Sequence, residues 1–346
     1  MRFWEDRLLG SVVAKPGEHV DGEEVRNKAK LNLDGYKVPK SVIVRVVVAE
    51  IPVPEPTGTQ VLVDVAAVSV NPIDLITRAG LTIPEADARF PMVLGWDVAG
   101  SVRAVGSSVT SVQVGDRVAA MVFQPIDQSG TYAAQVVLDA ALLAPVPDDL
   151  TFEQAATVPL VGLTASQLVD QVRVDGARSL LVTGPLGGVG RQAVALAART
   201  GLEVLGAVAV DRAPALLALG ASAAVGRDGF AAAVRERYPD GVDAAIDLVG
   251  GATSHAAFDL VRDRGRYATA VLPNVDPSGR FETNRGVDLR VLTVQPDRDK
   301  LTELLALAAQ GVLSTAVEVT YAMAEAAQAH RRQAAGRLQG RIVLVP

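Results

Sequence analysis

The plainest chemistry in this chain lies in eight residues, Thr183-Gly184-Pro185-Leu186-Gly187-Gly188-Val189-Gly190. An apolar, strand-like run precedes them and a helical pattern follows. Glycines let a backbone approach a pyrophosphate closely, and the free N–H groups at a helix start present a positive dipole end of roughly half a charge. The glycines at 184, 187 and 190 are three apart and depart from G-x-G-x-x-G spacing. Alone, the turn reads either as a dinucleotide cradle or as a tight strand-to-helix connection. The alternation of strands and helices around it favours the cradle.

The end of the next strand, Val204–Val208, bears on the choice of nicotinamide cofactor. An acid there would bond the ribose 2′-hydroxyl of NAD; a base would suit the 2′-phosphate of NADP. The strand ends in Ala207-Val208-Ala209, and Asp211 and Arg212 follow. Asp211 stands 21 residues after Gly190, a spacing compatible with NAD. It falls beyond the apparent strand end, however, and the adjacent Arg212 would attract a phosphate. NADP is therefore favoured over NAD, with a solvated Asp211–Arg212 pair as the plain alternative.

Other chemistries are excluded by composition. The 346 residues include no cysteine, so disulfides, thiolate nucleophiles and thiolate metal sites are impossible. The three histidines, His19, His255 and His330, are far apart and read as ordinary surface or helix residues. A net charge of −6 gives no reason to expect a nucleic-acid or anionic-membrane partner. No run approaches the roughly 18 apolar residues of a membrane span. Acids at Glu5 and Asp6 stand where a signal peptide needs apolar residues, so a cytoplasmic location is expected.

The elements that must position the turn follow from periodicity. Val42–Ala49, Val61–Val70, Leu94–Val105 and Asp116–Val122 read as strands punctuated by glycine, a mostly β half resembling a small barrel. Thr151-Phe152-Glu153-Gln154 has the form of a capping box and starts a helix towards Val169. Strands are then expected at Leu180–Thr183, Val204–Val208, Ala244–Val249, Tyr267–Leu272 and Leu289–Val294. Helices are expected at Val189–Thr200, Pro214–Leu219 and Ser254–Arg262. This βαβ alternation predicts a doubly wound parallel sheet with its ligand at the carboxyl ends of the strands. Helices around Lys300–Ala309 and Ala322–Ala335 and a strand Arg341–Val345 complete the chain. Five of the six lysines lie in the first 40 residues, which mark that segment as a separate piece.

From about residue 44 onwards the chain resembles the medium-chain dehydrogenase/reductase superfamily, in its zinc-free quinone oxidoreductase branch. The resemblance rests on Val70-Asn71-Pro72-Ile73-Asp74, Leu94-Gly95-Trp96-Asp97-Val98-Ala99-Gly100 and Val114-Gly115-Asp116-Arg117-Val118. Gly130-Thr131-Tyr132-Ala133, Pro159-Leu160-Val161-Gly162-Leu163-Thr164-Ala165, the glycine turn and the ending Gly336–Leu344 continue it in order. Zinc-dependent relatives place cysteine where Asn71 stands and histidine where Trp96 stands, in agreement with the argument from composition. The resemblance implies an α/β architecture in which a GroES-like β-barrel catalytic domain, 44–150 and 296–346, is interrupted by a Rossmann NADP-binding domain, 151–295. The active site is expected in the cleft between them, and a homodimer through Rossmann edge strands such as Leu289–Val294.

Site residues are carried over position by position. Asn71, in the former ligand position, is expected to donate its amide to a developing oxyanion or to the nicotinamide ribose. Asp74 is expected to position a water or hydroxyl, and Tyr132 to serve as proton donor. For these three, a turn, a helix cap and a packed strand residue are the bland readings. The cofactor is expected on Asn71, Thr164, Thr183 and the turn residues Gly187, Gly188, Val189 and Gly190. Arg212, Arg227 and Val249 complete that set. Arg212 aligns with a basic residue that binds the 2′-phosphate in relatives, and Arg227 stands where some have a tyrosine. Pro185 and Leu186, where relatives usually have alanine or serine, would stiffen the loop.

The front is atypical. Within residues 1–43, Lys15-Pro16-Gly17-Glu18 and Gly35–Val42 resemble a fragment of the C-terminal domain of AMP-forming acyl-CoA synthetases. The chain has no Gly-Lys pair, so adenylation is not expected. The segment reads as a fusion scar in which Ser11–Lys15 substitute for a missing first strand. Together these features lead to the expectation of zinc-independent hydride transfer from NADPH to a quinone or other α,β-unsaturated carbonyl. An enoyl reductase of acyl thioesters and a non-catalytic NADPH-binding protein are the alternatives.

Overall fold

Runs of β-branched residues bounded by glycine and proline form three sheets in the computed structural model. It describes residues 9–12, 41–44, 48–49, 51–53, 55–83, 92–124, 129–173, 176–271, 281 and 285–346. The strands of the first half are β1 (Leu9–Val12), β2 (Ser41–Val44), β3 (Gln60–Val70), β4 (Asp97–Val105), β5 (Arg117–Met121), β6 (Gln135–Asp139) and β7 (Ala144–Pro145). Then come β8 (Ser179–Val182), β9 (Glu203–Val208), β10 (Ala223–Gly226), β11 (Val242–Asp247), β12 (Val261–Thr269) and β13 (Asp288–Val291). The last are β14 (Val317–Ala322) and β15 (Arg341–Val345).

The chain divides into two units, one running to Val146 and resuming at Val317–Pro346, the other Pro147–Ala316. In the first, a sheet runs β14-β15-β3-β4-β5-β7, with β6 also paired to β3. Val61, Val63, Val68 and Val70 of β3 are fully buried and share one core with Val98, Val118, Ile342 and Leu344. In the second, six parallel strands run β10-β9-β8-β11-β12-β13. Numbered from β8, that is the doubly wound order 3-2-1-4-5-6, whose direction reverses between β8 and β11. Among the described residues no helix is long and apolar enough to cross a membrane.

Several expectations need correction. The helix Arg298–Ala309 belongs to the second unit, so the boundary falls at Ala316/Val317 instead of 295/296. Its Leu301, Leu304 and Leu305 are buried, and Leu304 closes over Gly162 of the helix Pro159–Val172, where even a Cβ would come within 3.3 Å. The capping box at Thr151 starts only a short helix, Phe152–Ala156; a separate helix begins at Pro159, which lacks the N–H needed to continue the first. Strand β10, the helix Phe230–Arg237 and strand β14 were not anticipated.

At the front, β1 pairs in parallel with β2 as a separate two-stranded sheet. Ser11 and Val12 therefore do not supply a strand to the large sheet, and Lys15 lies outside the described residues, as does most of 1–43. The expected strand Val42–Ala49 is strand only to Val44; 45–47 lie outside the described residues, and Val48 and Ala49 are exposed coil.

Candidate active site

Strand β3 ends at Val70, and Asn71 turns the chain into the helix Pro72–Arg78. Proline in the first helical position demands an extended residue before it, and Asn71 has φ −121° and ψ 155°. Its N–H donates to Asp74 Oδ2 at 2.7 Å, the returning half of a capping box. Its side chain turns away from the helix into a buried polar cluster. Nδ2 donates to Asp97 Oδ2 at 2.8 Å and to Ser69 Oγ at 3.2 Å. Oδ1 accepts from Arg341 Nη2, which also donates to Ser69 Oγ and Val70 O at 3.2 Å. Ser69 Oγ in turn donates to Asp97 Oδ2. Both ends of the Asn71 amide are thus engaged.

Asp74 is fully buried. Its Oδ2 also accepts from the Tyr132 hydroxyl at 3.0 Å, whereas Oδ1 has no partner among the described residues. Burial pushes its carboxyl up to about 7, against the opposing pull of the Asn71 N–H and Tyr132 hydrogen bonds. Burial, with the nearby Asp74, also pushes the Tyr132 phenol well above its ordinary value. His330, on the helix Ala326–Ala335, lies edge-on to Tyr132 with ring centroids 5.8 Å apart and Nε2 3.4 Å from the hydroxyl. Burial, then the charge of Arg78, push the imidazole down to about 4. Because the Tyr132 proton goes to Asp74, the contact requires the Nε2–H tautomer of His330.

In the second unit the glycine turn joins β8 to the helix Gly188–Ala198. Gly187 caps that helix, and its carbonyl takes the first intrahelical bond from Arg191 N at 3.0 Å. The N–H groups of Gly188, Val189 and Gly190 thereby have no intrahelical acceptor. Gly184 has φ +64°, and a Cβ on Gly190 would stand 2.1 Å from Gly184 O, so both glycines are required. Pro185 lies over β9 at Gly206, where a Cβ would meet its ring at 3.0 Å. Thr183 is buried, donating to Asp247 Oδ1 at 2.5 Å.

The other expected cofactor residues are placed as follows. Arg212 closes the short turn Val210–Arg212 after β9, and Arg227 N donates to Val208 O at 2.7 Å, so both stand at the carboxyl ends of β9 and β10. Val249 follows β11 and faces Gly184, where a Cβ would lie 3.2 Å from its Cγ2. Thr164 lies on the helix Pro159–Val172, where its hydroxyl is buried and donates to Leu160 O at 2.6 Å.

Three residues of these sites escaped the sequence reading. Arg341 and His330 are brought in by strand pairing and helix packing from the far end of the chain. Asp247 accepts from Thr183, Ser254 and the N–H groups of Val249 and Gly250. Its signal was a lone acid ending an apolar strand. Arg191 is a third basic group near the turn: Nε donates to Leu186 O at 2.9 Å, and burial with the Arg212 charge hold it below the usual arginine range.

The profile of a family described as "Alcohol dehydrogenase GroES-like domain" matches residues 57–148, and one described as "Zinc-binding dehydrogenase" matches 219–344. A chloroplastic quinone-oxidoreductase homolog of Spinacia oleracea is 33% identical over 154 residues, 43% of this chain and 46% of that protein. A mycocerosic acid synthase-like polyketide synthase of Mycobacterium tuberculosis is 30% identical over 305 residues, 84% of this chain and 14% of that protein. The chain therefore matches less than half the length of either relative. The quinone oxidoreductase structure from Coxiella burnetii superimposes with a TM-score of 0.76 at 28% identity, covering 90% of this chain and 95% of that one. Glycine turn, strand order and profiles agree: the chain belongs to the medium-chain dehydrogenase/reductase superfamily, in its quinone oxidoreductase-like branch, with a GroES-like domain and a parallel-sheet Rossmann domain.

Proposed function

We propose that the protein is a reductase of conjugated carbonyl compounds, quinones or enones, using NADPH in preference to NADH and no metal. The carrying observation is the cradle, in which a backbone with no room for a side chain at Gly190 presents three N–H groups, with Arg212 and Arg227 at the carboxyl ends of β9 and β10. These residues fit a dinucleotide: Gly188, Val189 and Gly190 would hold the pyrophosphate, and Arg212 and Arg227 the 2′-phosphate. When bound, NADPH supplies the hydride. The metal-free reading is supported by Asn71 and Trp96 at the positions of the zinc ligands and by the absence of cysteine.

The chain's own contribution is binding, orientation and a proton. Titrating near 7, Asp74 is partly protonated at neutral pH and carries its proton on Oδ1, the oxygen with no other partner. That carboxyl is the acid that protonates the reduced substrate. Tyr132, whose own proton is held too tightly, orients Asp74 through Oδ2. Asn71, fixed at both ends of its amide, shapes the cluster around Asp74.

Titration of the protein with NADPH and NADH, repeated on Arg212→Ala, tests the reading, followed by NADPH oxidation with quinone and enone acceptors. Tighter NADPH binding that Arg212→Ala abolishes, with turnover of an acceptor, is expected; failure of both nucleotides to bind would overturn it. The long match to a polyketide synthase favours enoyl thioesters as a second substrate class, and activity on crotonyl-CoA but on no quinone would establish it. We extend the proposal to a cytoplasmic homodimer paired along β13, whose Leu289 and Val291 are exposed; mass in solution tests the dimer.

A further inference from the structure

A carbonyl being reduced accumulates charge on its oxygen, and a donor must meet it. Asn71 is occupied, since its amide hydrogens go to Asp97 and Ser69. The neighbouring Trp96 is not. It is 4% exposed, and its indole Nε1, a donor and nothing else, is buried without a partner among the described residues. Buried donors are almost always satisfied, so a buried donor that no protein group meets marks a place for a water or a ligand.

Trp96 is held firmly. Its carbonyl accepts from Val122 N at 2.8 Å, and its ring stands edge-on to Phe123 with centroids 5.5 Å apart. The preceding Gly95, at φ +107°, presses against Thr131 and Tyr132, where a Cβ would come within 2.5 Å. The following Asp97 holds Asn71, whose N–H holds Asp74. Trp96 is therefore tied through its immediate neighbours to the acid of the proposed reaction. Asp74 Oδ1, Gln124 Oε1 and Arg341 Nε, all buried, also have no partners among the described residues. Asp74 and Arg341 belong to the polar cluster around Asn71, which Asp97 ties to Trp96 in sequence.

We propose that the Trp96 indole N–H is the hydrogen-bond donor to the carbonyl oxygen of the substrate. This rests on the reductase reading. Hydride adds to the β carbon, the C=C pair moves to the α-carbon–carbonyl bond, and the carbonyl pair moves to the oxygen. The indole stabilises that oxyanion without surrendering its proton. The oxygen pair then re-forms the carbonyl while the α carbon takes the Asp74 proton, and the carboxylate regains a proton from water.

The sequence holds only two tryptophans, Trp4 and Trp96, so protein labelled with ¹⁵N-tryptophan shows two indole N–H resonances, and Trp4→Phe assigns them. Addition of 2-cyclohexen-1-one is expected to move the Trp96 resonance downfield and leave that of Trp4 in place. In turnover, Trp96→Phe is expected to lower kcat roughly 10²- to 10³-fold while NADPH affinity and Tm change little. A Trp96 resonance unmoved up to the solubility limit of the enone, or wild-type turnover in Trp96→Phe, overturns the proposal. The resonance decides even where the variant fails to fold. Wild-type protein that binds the enone at Trp96 but oxidises no NADPH would instead remove the reductase reading.

Discussion

Arg341 and Asn71 are joined side chain to side chain across 270 residues of sequence. The register of β15 on β3, with Ile342 opposite Val70, makes the contact unavoidable: Arg341 lies one residue before that pair and Asn71 one residue after it. The guanidinium takes the oxygen end of the amide, so its nitrogen end must face Asp97. Orientation of Asn71 is thus a property of the final strand.

Replacing Arg341 tests this coupling. Arg341→Met removes the Arg341 charge that acts on Asp97 and the Arg341 donor to Asn71 Oδ1, and a loss of roughly 1–3 kcal/mol is expected in chemical denaturation. Arg341→Lys restores the charge but cannot reproduce donation to Ser69, Val70 and Asn71 from one planar nitrogen, so partial recovery is expected. Full stability in Arg341→Met would show the contact to be idle.

Asp74 and His330 set opposite pH dependences. A carboxyl raised from 3.8 to about 7 on folding binds a proton that the unfolded chain has lost, so its stabilising contribution declines as pH rises from about 4 to 7. An imidazole lowered from 6.5 to about 4 stays neutral where the unfolded chain is charged, so its contribution grows over about pH 4 to 6.5. In the wild type the two slopes offset. Asp74→Asn keeps an acceptor for Tyr132 and Asn71 while removing the first slope, so Tm relative to wild type should climb from pH 4 to 7. In His330→Phe relative Tm should fall over the same range. Parallel Tm curves for all three proteins would refute both assignments.

Much of the scaffold was legible because it rests on local signals. The cradle announced itself by glycines at fixed offsets after an apolar strand, and the parallel sheet by strands alternating with helices. The polar cluster was legible only where one segment carries it, as in Asn71-Pro72-Ile73-Asp74. His330 lies on a helix with no unusual pattern, and only packing against Tyr132 gives it a role. Strand β10 was missed because Ala223-Ala224-Val225-Gly226 has little β propensity of its own and is held by pairing to β9. The boundary near 316 was missed because the helix Arg298–Ala309 resembles any amphipathic helix; its place is decided by Leu304 against Gly162.

Arg191 should discriminate between cofactors. Burial and the Arg212 charge both work against its own charge, a cost that a dianionic phosphate between the two guanidiniums would relieve. Arg191→Leu is therefore expected to weaken NADPH binding about 10-fold or more, with NADH affinity nearly unchanged, in parallel calorimetric titrations. Equal loss for both nucleotides would place Arg191 with the turn itself, through its bond to Leu186 O.

The turn offers a controlled pair of substitutions. A methyl on Gly187 would stand 3.3 Å from Gly184 O, a tight contact that a shift of tenths of an ångström relieves; on Gly190 it would stand 2.1 Å from the same atom and 2.8 Å from the Pro185 backbone. The second clash is with main chain on both counts, and Pro185 is itself backed by Gly206 of β9, so the loop has nowhere to retreat. Gly190→Ala should lose roughly 1–3 kcal/mol of stability or more and all measurable NADPH binding, whereas Gly187→Ala should retain its fold and part of its affinity. If Gly190→Ala bound NADPH as wild type does, the pyrophosphate would have to sit elsewhere than on this helix start.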